Sequence, residues 1–342
     1  MRKPIRSLIL CLGCLVALVS CGPGGQDRRT PLTAADSASM KLETLNRTIS
    51  EHPSDPAPYN QRARYYLLER QFDLALKDIH KAISLDSRNP AYFITLSDIY
   101  LLMGRPGNSK EALESALKAD PSHTEALAKL AKLYLIMKEY PNCYATVKTL
   151  LDVDNANAPG YYIRALALLE QGDTLRAVDD LKKAVDYNQQ YYEAFVQLGE
   201  LYAMRKDKLA ELYLNNALNV HPTSREALYM LGMHYQETGN FEKAIATYQR
   251  LSKVDTTSRE AYYNTGYIYL VYLRDFPKAV SFFSEALKKD PTYAEAWYNR
   301  GYAQELAGNY KQAYADYEQA LKVHVNYDKA IEGLNRLDRL TR

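Results

Sequence analysis

Apolar and small residues recur along this chain at helical spacing within short blocks, and the blocks themselves recur about every 34 residues. The pattern is clearest from Ala294 to Tyr327, AEAWYNRGYAQELAGNYKQAYADYEQALKVHVNY. Counted from Ala294, Trp297 takes place 4, Gly301 place 8, Gly308 place 15, Tyr310 place 17, Ala313 place 20, Tyr317 place 24 and Ala320 place 27. Trp297, Gly301, Gln304 and Ala307 fall on one helical stripe, and Ala313, Tyr317, Ala320 and Leu321 on a second. Small residues stand where two helices must approach closely. Gly308-Asn309, between the stripes, reads as the turn.

The same helix–turn–helix runs through most of the chain in one phase, over 56–89, 90–123, 124–157, 158–191, 192–224, 225–258, 259–293 and 294–327. Place 8 is small in each block: Ala63, Ser97, Ala131, Ala165, Gly199, Gly232, Gly266 and Gly301. Place 11 is mostly Tyr (Tyr66, Tyr100, Tyr134, Tyr202, Tyr235, Tyr269) and place 27 usually Ala. Pro121, Pro222 and Pro291 follow the second helix and stop it. The fifth block is one residue short around Lys206–Lys208, and the seventh is one residue long near Leu273–Asp275. Both changes are expected in the turn between the helices, where they disturb packing least. Ahead of the blocks, 34–55 holds one helix, with Leu42, Leu45 and Ile49 on one face and Pro53 closing it. Behind them, 328–342 is a final helix. Its narrow stripe is Ile331, Leu334 and Leu337, with Arg336, Asp338, Arg339 and Arg342 polar and exposed, as a cap on an open apolar end requires.

The block resembles the tetratricopeptide (TPR) repeat. The resemblance covers residues 56–327 and implies an all-α fold: a right-handed superhelical solenoid of eight repeats, with an extra N-terminal helix and a C-terminal capping helix.

Residues 1–20, MRKPIRSLILCLGCLVALVS, open on basic residues and continue with an apolar run from Leu8 to Val19. That run is about 12 residues, short for a bilayer span and right for a signal-peptide core. Leu18-Val19-Ser20-Cys21 resembles the bacterial lipobox, which implies that 1–20 is a lipoprotein signal peptide and that Cys21 becomes a lipidated N-terminus. Several acyl chains would anchor the chain stably. Residues 21–33, rich in Gly and Pro at their start, read as a flexible lipidated tether. Gly22, not Asp, follows the cysteine, and under the best-known sorting rule this favours the outer membrane, facing the periplasm.

Composition changes this picture little. The formal charge is +2, from 43 basic and 41 acidic residues. Removing Arg2, Lys3 and Arg6 with the leader leaves 40 basic against 41 acidic, so nothing calls for nucleic acid as a partner. Of Cys11, Cys14, Cys21 and Cys143, only Cys143 remains as a free thiol in the body, at place 20 where Ala is usual, and it reads as buried and inert. The six histidines show no pair at metal-ligand spacing, no Gly-rich loop joins a strand to a helix, and no nucleophile elbow is present. Asp179-Asp180, amid Arg176, Lys182 and Lys183, reads as a solvated helix face. Glu at place 2 (Glu125, Glu193, Glu226, Glu260, Glu295) suits a helix N-terminus. The expectation is a protein without catalytic residues, metal or cofactor. It is not expected to be an enzyme.

In TPR proteins the first helix of each repeat lines the concave face, with places 2, 5, 9 and 12 turned toward it. Carried over, the N-terminal half offers Asn60, Arg64, Ile94, Asp98, Ala128 and Lys132, a mixed surface. The C-terminal half offers Tyr229, Met233, Tyr263, Tyr267, Tyr298 and Tyr302, a stripe that internal packing does not obviously require. Tyrosine has large apolar area, a polar tip and little rotamer entropy to lose, which suits partner contact. Glu260 and Glu295 at place 2 would repel a carboxylate, so a carboxylate clamp is not expected despite Asn264 and Asn299 at place 6. The resulting expectation is a membrane-anchored adaptor that binds proteins or peptide segments of the bacterial cell envelope through its groove. The alternative is a structural subunit of a fixed envelope assembly that uses its convex face and ends. Self-association into a homo-oligomer is compatible with either.

Overall fold

The computed structural model describes residues 34–340. The expected signal peptide, the tether and Cys21 therefore lie outside the described residues, as does Arg342. Within them the protein is all-helical: eighteen helices and no strand. Helix α1 (Ala34–Glu51) precedes eight helical pairs. These are α2 (Pro56–Leu68) with α3 (Phe72–Leu85), α4 (Pro90–Leu102) with α5 (Pro106–Ala119), α6 (Thr124–Ile136) with α7 (Tyr140–Val153) and α8 (Ala158–Glu170) with α9 (Thr174–Tyr187). They continue with α10 (Tyr192–Ala203) and α11 (Leu209–Val220), α12 (Arg225–Glu237) and α13 (Phe241–Val254), α14 (Arg259–Tyr267) and α15 (Phe276–Lys289), and α16 (Ala294–Leu306) and α17 (Tyr310–Val323). Helix α18 (Asp328–Leu340) closes the array.

Local chemistry sets the boundaries. First helices start behind a side-chain cap: Asp55, Asn89, His123, Asn157, Ser224 and Ser258 each accept from a backbone N–H of the first turn. Second helices stop at Asp86, Asp120, Asp154, Asn188, Asp255 and Asp290, each accepting from the N–H two residues on, an Asx turn that redirects the chain. Between paired helices every repeat places one residue at positive φ. It is Gly at 104, 172, 239 and 308, but Arg70, Lys138, Lys206 and Arg274 in the others. A backbone role that half the repeats fill without glycine is hidden from a search for glycine.

The core is a row of paired contacts between places 8 and 24. Ile79, Leu113, Val147 and Leu181 fill place 24 in repeats one to four and are fully buried opposite Ala or Ser. Repeats six to eight use Tyr248, Phe283 and Tyr317 instead, opposite Gly232, Gly266 and Gly301. A Cβ on Gly232 would lie 2.6 Å from the Tyr248 ring, so the glycine is what admits the aromatic. Burying each such ring stabilises the stack by about 1.5–3 kcal/mol.

The residue missing from repeat five does fall where expected, between Lys206, which keeps the positive φ of place 15, and the buried Ala210 of place 20, and α10 and α11 both shorten to 12 residues around that turn. Two sequence expectations need correction. The extra residue of repeat seven enters the first helix, not the turn. It continues α14 as a π-turn over Ile268–Tyr272, with the Leu273 N–H donating to the Ile268 carbonyl. In α18 the buried stripe is Ala330, Gly333 and Leu337, with Leu334 half-buried, while Ile331 is exposed. Gly333 sits against the Tyr317 ring, and a tyrosine at that contact excludes any larger residue.

Candidate functional site

Along the stack, first helices touch across neighbouring repeats (α2 on α4, α6 on α8, α10 on α12), while second helices do not pack on one another to that extent. The first-helix side is therefore the inside of the curve. The six side chains singled out above belong to the first helices α12, α14 and α16 of the C-terminal half.

Tyr229 stands 38% exposed and Met233 is half-buried, its sulfur accepting from Asn264 Nδ2 at 3.7 Å. Tyr263 is drawn inward. Its hydroxyl accepts from the Asn299 amide at 2.7 Å, and its ring lies 5.6 Å from Phe283 and 4.8 Å from Tyr293. Burial, then neighbouring Tyr293, pushes its phenol pKa up. Tyr298 sits between Tyr302, Tyr317 and Tyr327 at 6.1, 5.7 and 5.7 Å, and burial raises it too. The expectation that packing does not require this stripe thus fails for Tyr263 and Tyr298, whose rings meet the second helix of their own pair and the turn that follows it, although Tyr229 at the same place 5 stays exposed. Ile94 shows the same: expected in the groove, it is buried against Leu113 and Leu130. Tyr229, Met233, Tyr267 and Tyr302 keep part of their surface exposed, with Tyr267 stacked on Tyr263 at 6.4 Å and Arg336 5.7 Å over Tyr302.

Sequence reasoning missed Tyr293 and Tyr327, which stand outside the first-helix places yet pack into the same aromatic run. It also misread Asp180. That carboxylate is buried and takes both Nε and Nη2 of Arg164, at 2.7 and 2.8 Å. The same fork joins Arg62 to Asp78 and Arg300 to Asp316, always 16 residues apart. The signal was Arg at place 7 with Asp at place 23, which a count of charges along one helix face cannot show. Arg336, expected to be solvated, forks onto Glu305 at 3.0 Å.

Cys143 is fully buried, and desolvation raises its thiol pKa to about 11, so it is a poor nucleophile. Asn299 donates to Tyr263 and Asn264 to Met233, so each amide has one of its two N–H groups engaged within the fold. Among the described residues no group of His, Cys, Asp and Glu could hold a metal, and no helix is long and apolar enough to cross a membrane. A polar cleft of about 480 Å³ lies on the opposite, second-helix side, between α9 and α11 and lined by Lys182, Asp186, Tyr213 and Asn216.

Family models of the tetratricopeptide repeat match residues 90–123, 162–218, 226–255 and 268–331, together more than half of the chain. The chain is a tetratricopeptide-repeat protein. The C-terminal part of a TPR repeat-containing protein from Cytophaga hutchinsonii shares the fold with a TM-score of 0.61 at 15% identity, over 70% of this chain and 98% of that one. Pseudomonas aeruginosa PilF gives 0.51 at 14% identity, over 66% and 96%. At these identities the likeness is one of fold. A curated relative, the UDP-N-acetylglucosamine–peptide N-acetylglucosaminyltransferase of Giardia intestinalis, is 31% identical over 104 residues, which are 30% of this TPR chain. The TPR chain spans 7% of that enzyme's length.

Proposed function

We propose that this TPR protein is a non-enzymatic scaffold, lipid-anchored through Cys21 at the bacterial outer membrane and facing the periplasm, whose inner face binds protein or peptide segments of the envelope. The observation that carries the binding reading is the lining of repeats six to eight. Tyr229, Met233, Tyr267 and Tyr302 keep part of their surface in solvent after the neighbouring aromatics have been used for packing. An extended segment or an apolar helix could lie on such a row. The lipidation reading rests on the leader sequence alone. An anchor would fix location and raise the local concentration of the scaffold toward its partners.

The test is affinity capture of the full chain from detergent-solubilised envelope, with bound proteins identified by mass spectrometry. Tyr229→Ala, Tyr267→Ala and Tyr302→Ala are combined; Tyr263 and Tyr298 are left alone because they hold the fold. Loss of specific partners with an unchanged melting temperature supports the inner face. Partners retained by the variant count against it. Cys21→Ser should abolish acylation of the N-terminal peptide and release the chain from membranes; a variant that stays membrane-bound would remove the anchor from the reading. The cleft between α9 and α11 favours a second reading, a fixed subunit that uses its outer face, and substitutions at Lys182 and Tyr213 would then release the partners.

A further inference from the structure

We infer that the inner face of the last four repeats takes a basic partner: an extended protein segment whose Lys and Arg side chains lie on tyrosine rings between glutamates. This rests on the scaffold reading above and names the chemistry of what that face receives. Charge is nearly balanced over the chain, yet its distribution is not. The first helices α10, α12, α14 and α16 each carry a glutamate at place 2, namely Glu193, Glu226, Glu260 and Glu295. The arginines of those same helices are spoken for by aspartates. Arg225 holds Asp255 at 2.9 Å, Arg300 holds Asp316 at 2.6 Å, and Arg259 is paired with Asp290 as well as with Glu260. Glu193, Glu226 and Glu295 are left without an ion pair among the described residues, and a carboxylate in that state on a partner-sized surface attracts cations.

These carboxylates stand among the tyrosines, and the Tyr192 hydroxyl donates to Glu226 at 3.3 Å. Burial first, then Glu193 and Glu226, pushes the Tyr162 phenol up to about 12, and burial with Glu295 does the same for Tyr327. The rings of this region already hold cations of the chain itself: Arg259 lies 4.4 Å over Tyr293 and Lys329 5.9 Å over Tyr298. A π-face beside an unneutralised carboxylate favours Lys or Arg twice over, by the ring quadrupole and by charge. The first helices of repeats one to three lack this character: Glu125, at place 2 of α6, has Lys129 at 4.0 Å, and Arg64 and Lys132 carry no ion pair among the described residues. The acidic, aromatic face is thus confined to the C-terminal half, and it would repel nucleic acid or an anionic membrane surface.

The experiment measures fluorescence anisotropy of a short labelled peptide in which arginine alternates with serine, and of its counterpart with glutamate in place of arginine, against the full chain in detergent micelles. The arginine peptide should bind, more weakly as salt is raised, and the glutamate peptide should not. Combining Glu193→Gln, Glu226→Gln and Glu295→Gln should weaken binding about tenfold, since each exposed charge contributes modestly. Combining Glu111→Gln, Glu114→Gln and Glu318→Gln on second helices should leave it unchanged. Equal binding of the two peptides, binding of neither, or equal loss in the two glutamine variants overturns the inference. Partner capture that depends on Tyr229, Tyr267 and Tyr302 but not on the three glutamates would overturn it while leaving the scaffold reading intact. Capture indifferent to both sets would overturn both.

Discussion

His234 shows how one residue inside a repeat can set a pH limit on the whole body. It sits on α12, 5% exposed, and its Nδ1 has no hydrogen-bond partner. Burial lowers its pKa below the ordinary 6.5, and Glu211, Glu237 and Asp207 oppose that shift without cancelling it. A folded pKa below the unfolded one means the unfolded chain binds more protons, so stability falls as pH drops below about 6.5 and levels off only past the folded value. Glu211, whose own pKa is lowered by Lys243 and Tyr235, loses its contribution at more acid pH, so the two windows separate. We expect the melting temperature to fall between pH 7 and pH 5 in the native protein and to fall less in His234→Leu. Thermal melts at both pH values check this; parallel slopes would mean the imidazole is charged in the fold.

At the scale of the helical pair, the Arg–Asp fork is what ties first to second helix in repeats one, four and eight. Asp180 is nearly enclosed while the Arg164 side chain keeps 30% of its surface, so the pair is intermediate between a surface and a buried bridge. Arg164→Met should cost about 2–3 kcal/mol because it strands a buried carboxylate, whereas Arg164→Met with Asp180→Leu should return to within about 1 kcal/mol of the native protein. A double-mutant cycle by chemical denaturation measures the difference, and additive losses would sink this account. The fork also shows what the sequence could and could not reveal. Place 8 against place 24, the helix count and the terminal helices were legible because apolar periodicity within a helix is a local signal. Asp180 was misread because its partner lies on another helix, and the extra residue of repeat seven was misplaced because a π-turn has no composition of its own. Place numbers picked out Tyr229, Tyr267 and Tyr302, which keep part of their surface exposed, but they could not show that Tyr263 and Tyr298 pack on neighbouring rings or that Tyr293 and Tyr327 join them.

The whole molecule is a line of nearest-neighbour contacts, and its ends differ from its middle. Each pair packs on the pair before and after it, so a fault at one end should stay near that end. Helix α18 covers the last pair: Tyr317 is fully buried beneath it, and Arg336 reaches back to Glu305. Gly333 is the point of closest approach, where an added Cβ would meet the Tyr317 ring at 2.5 Å. Gly333→Ala should therefore lift the cap at a cost of about 1–3 kcal/mol, the usual range for overpacking a filled site. Removing 328–342 should go further and uncover Tyr317 and the apolar side of α17. Hydrogen exchange then distinguishes a line from a single cooperative body. In a line, protection falls in 294–327 and declines less with each repeat away, so that 56–157 keeps its native rates. Equal loss across all repeats would show that the stack unfolds as one unit. The cap packs directly on repeat eight alone, which carries Tyr302, so on the scaffold reading proposed above the same truncation should weaken partner capture before it affects the N-terminal repeats. Under that reading the stability of the C-terminal end and partner binding would be coupled.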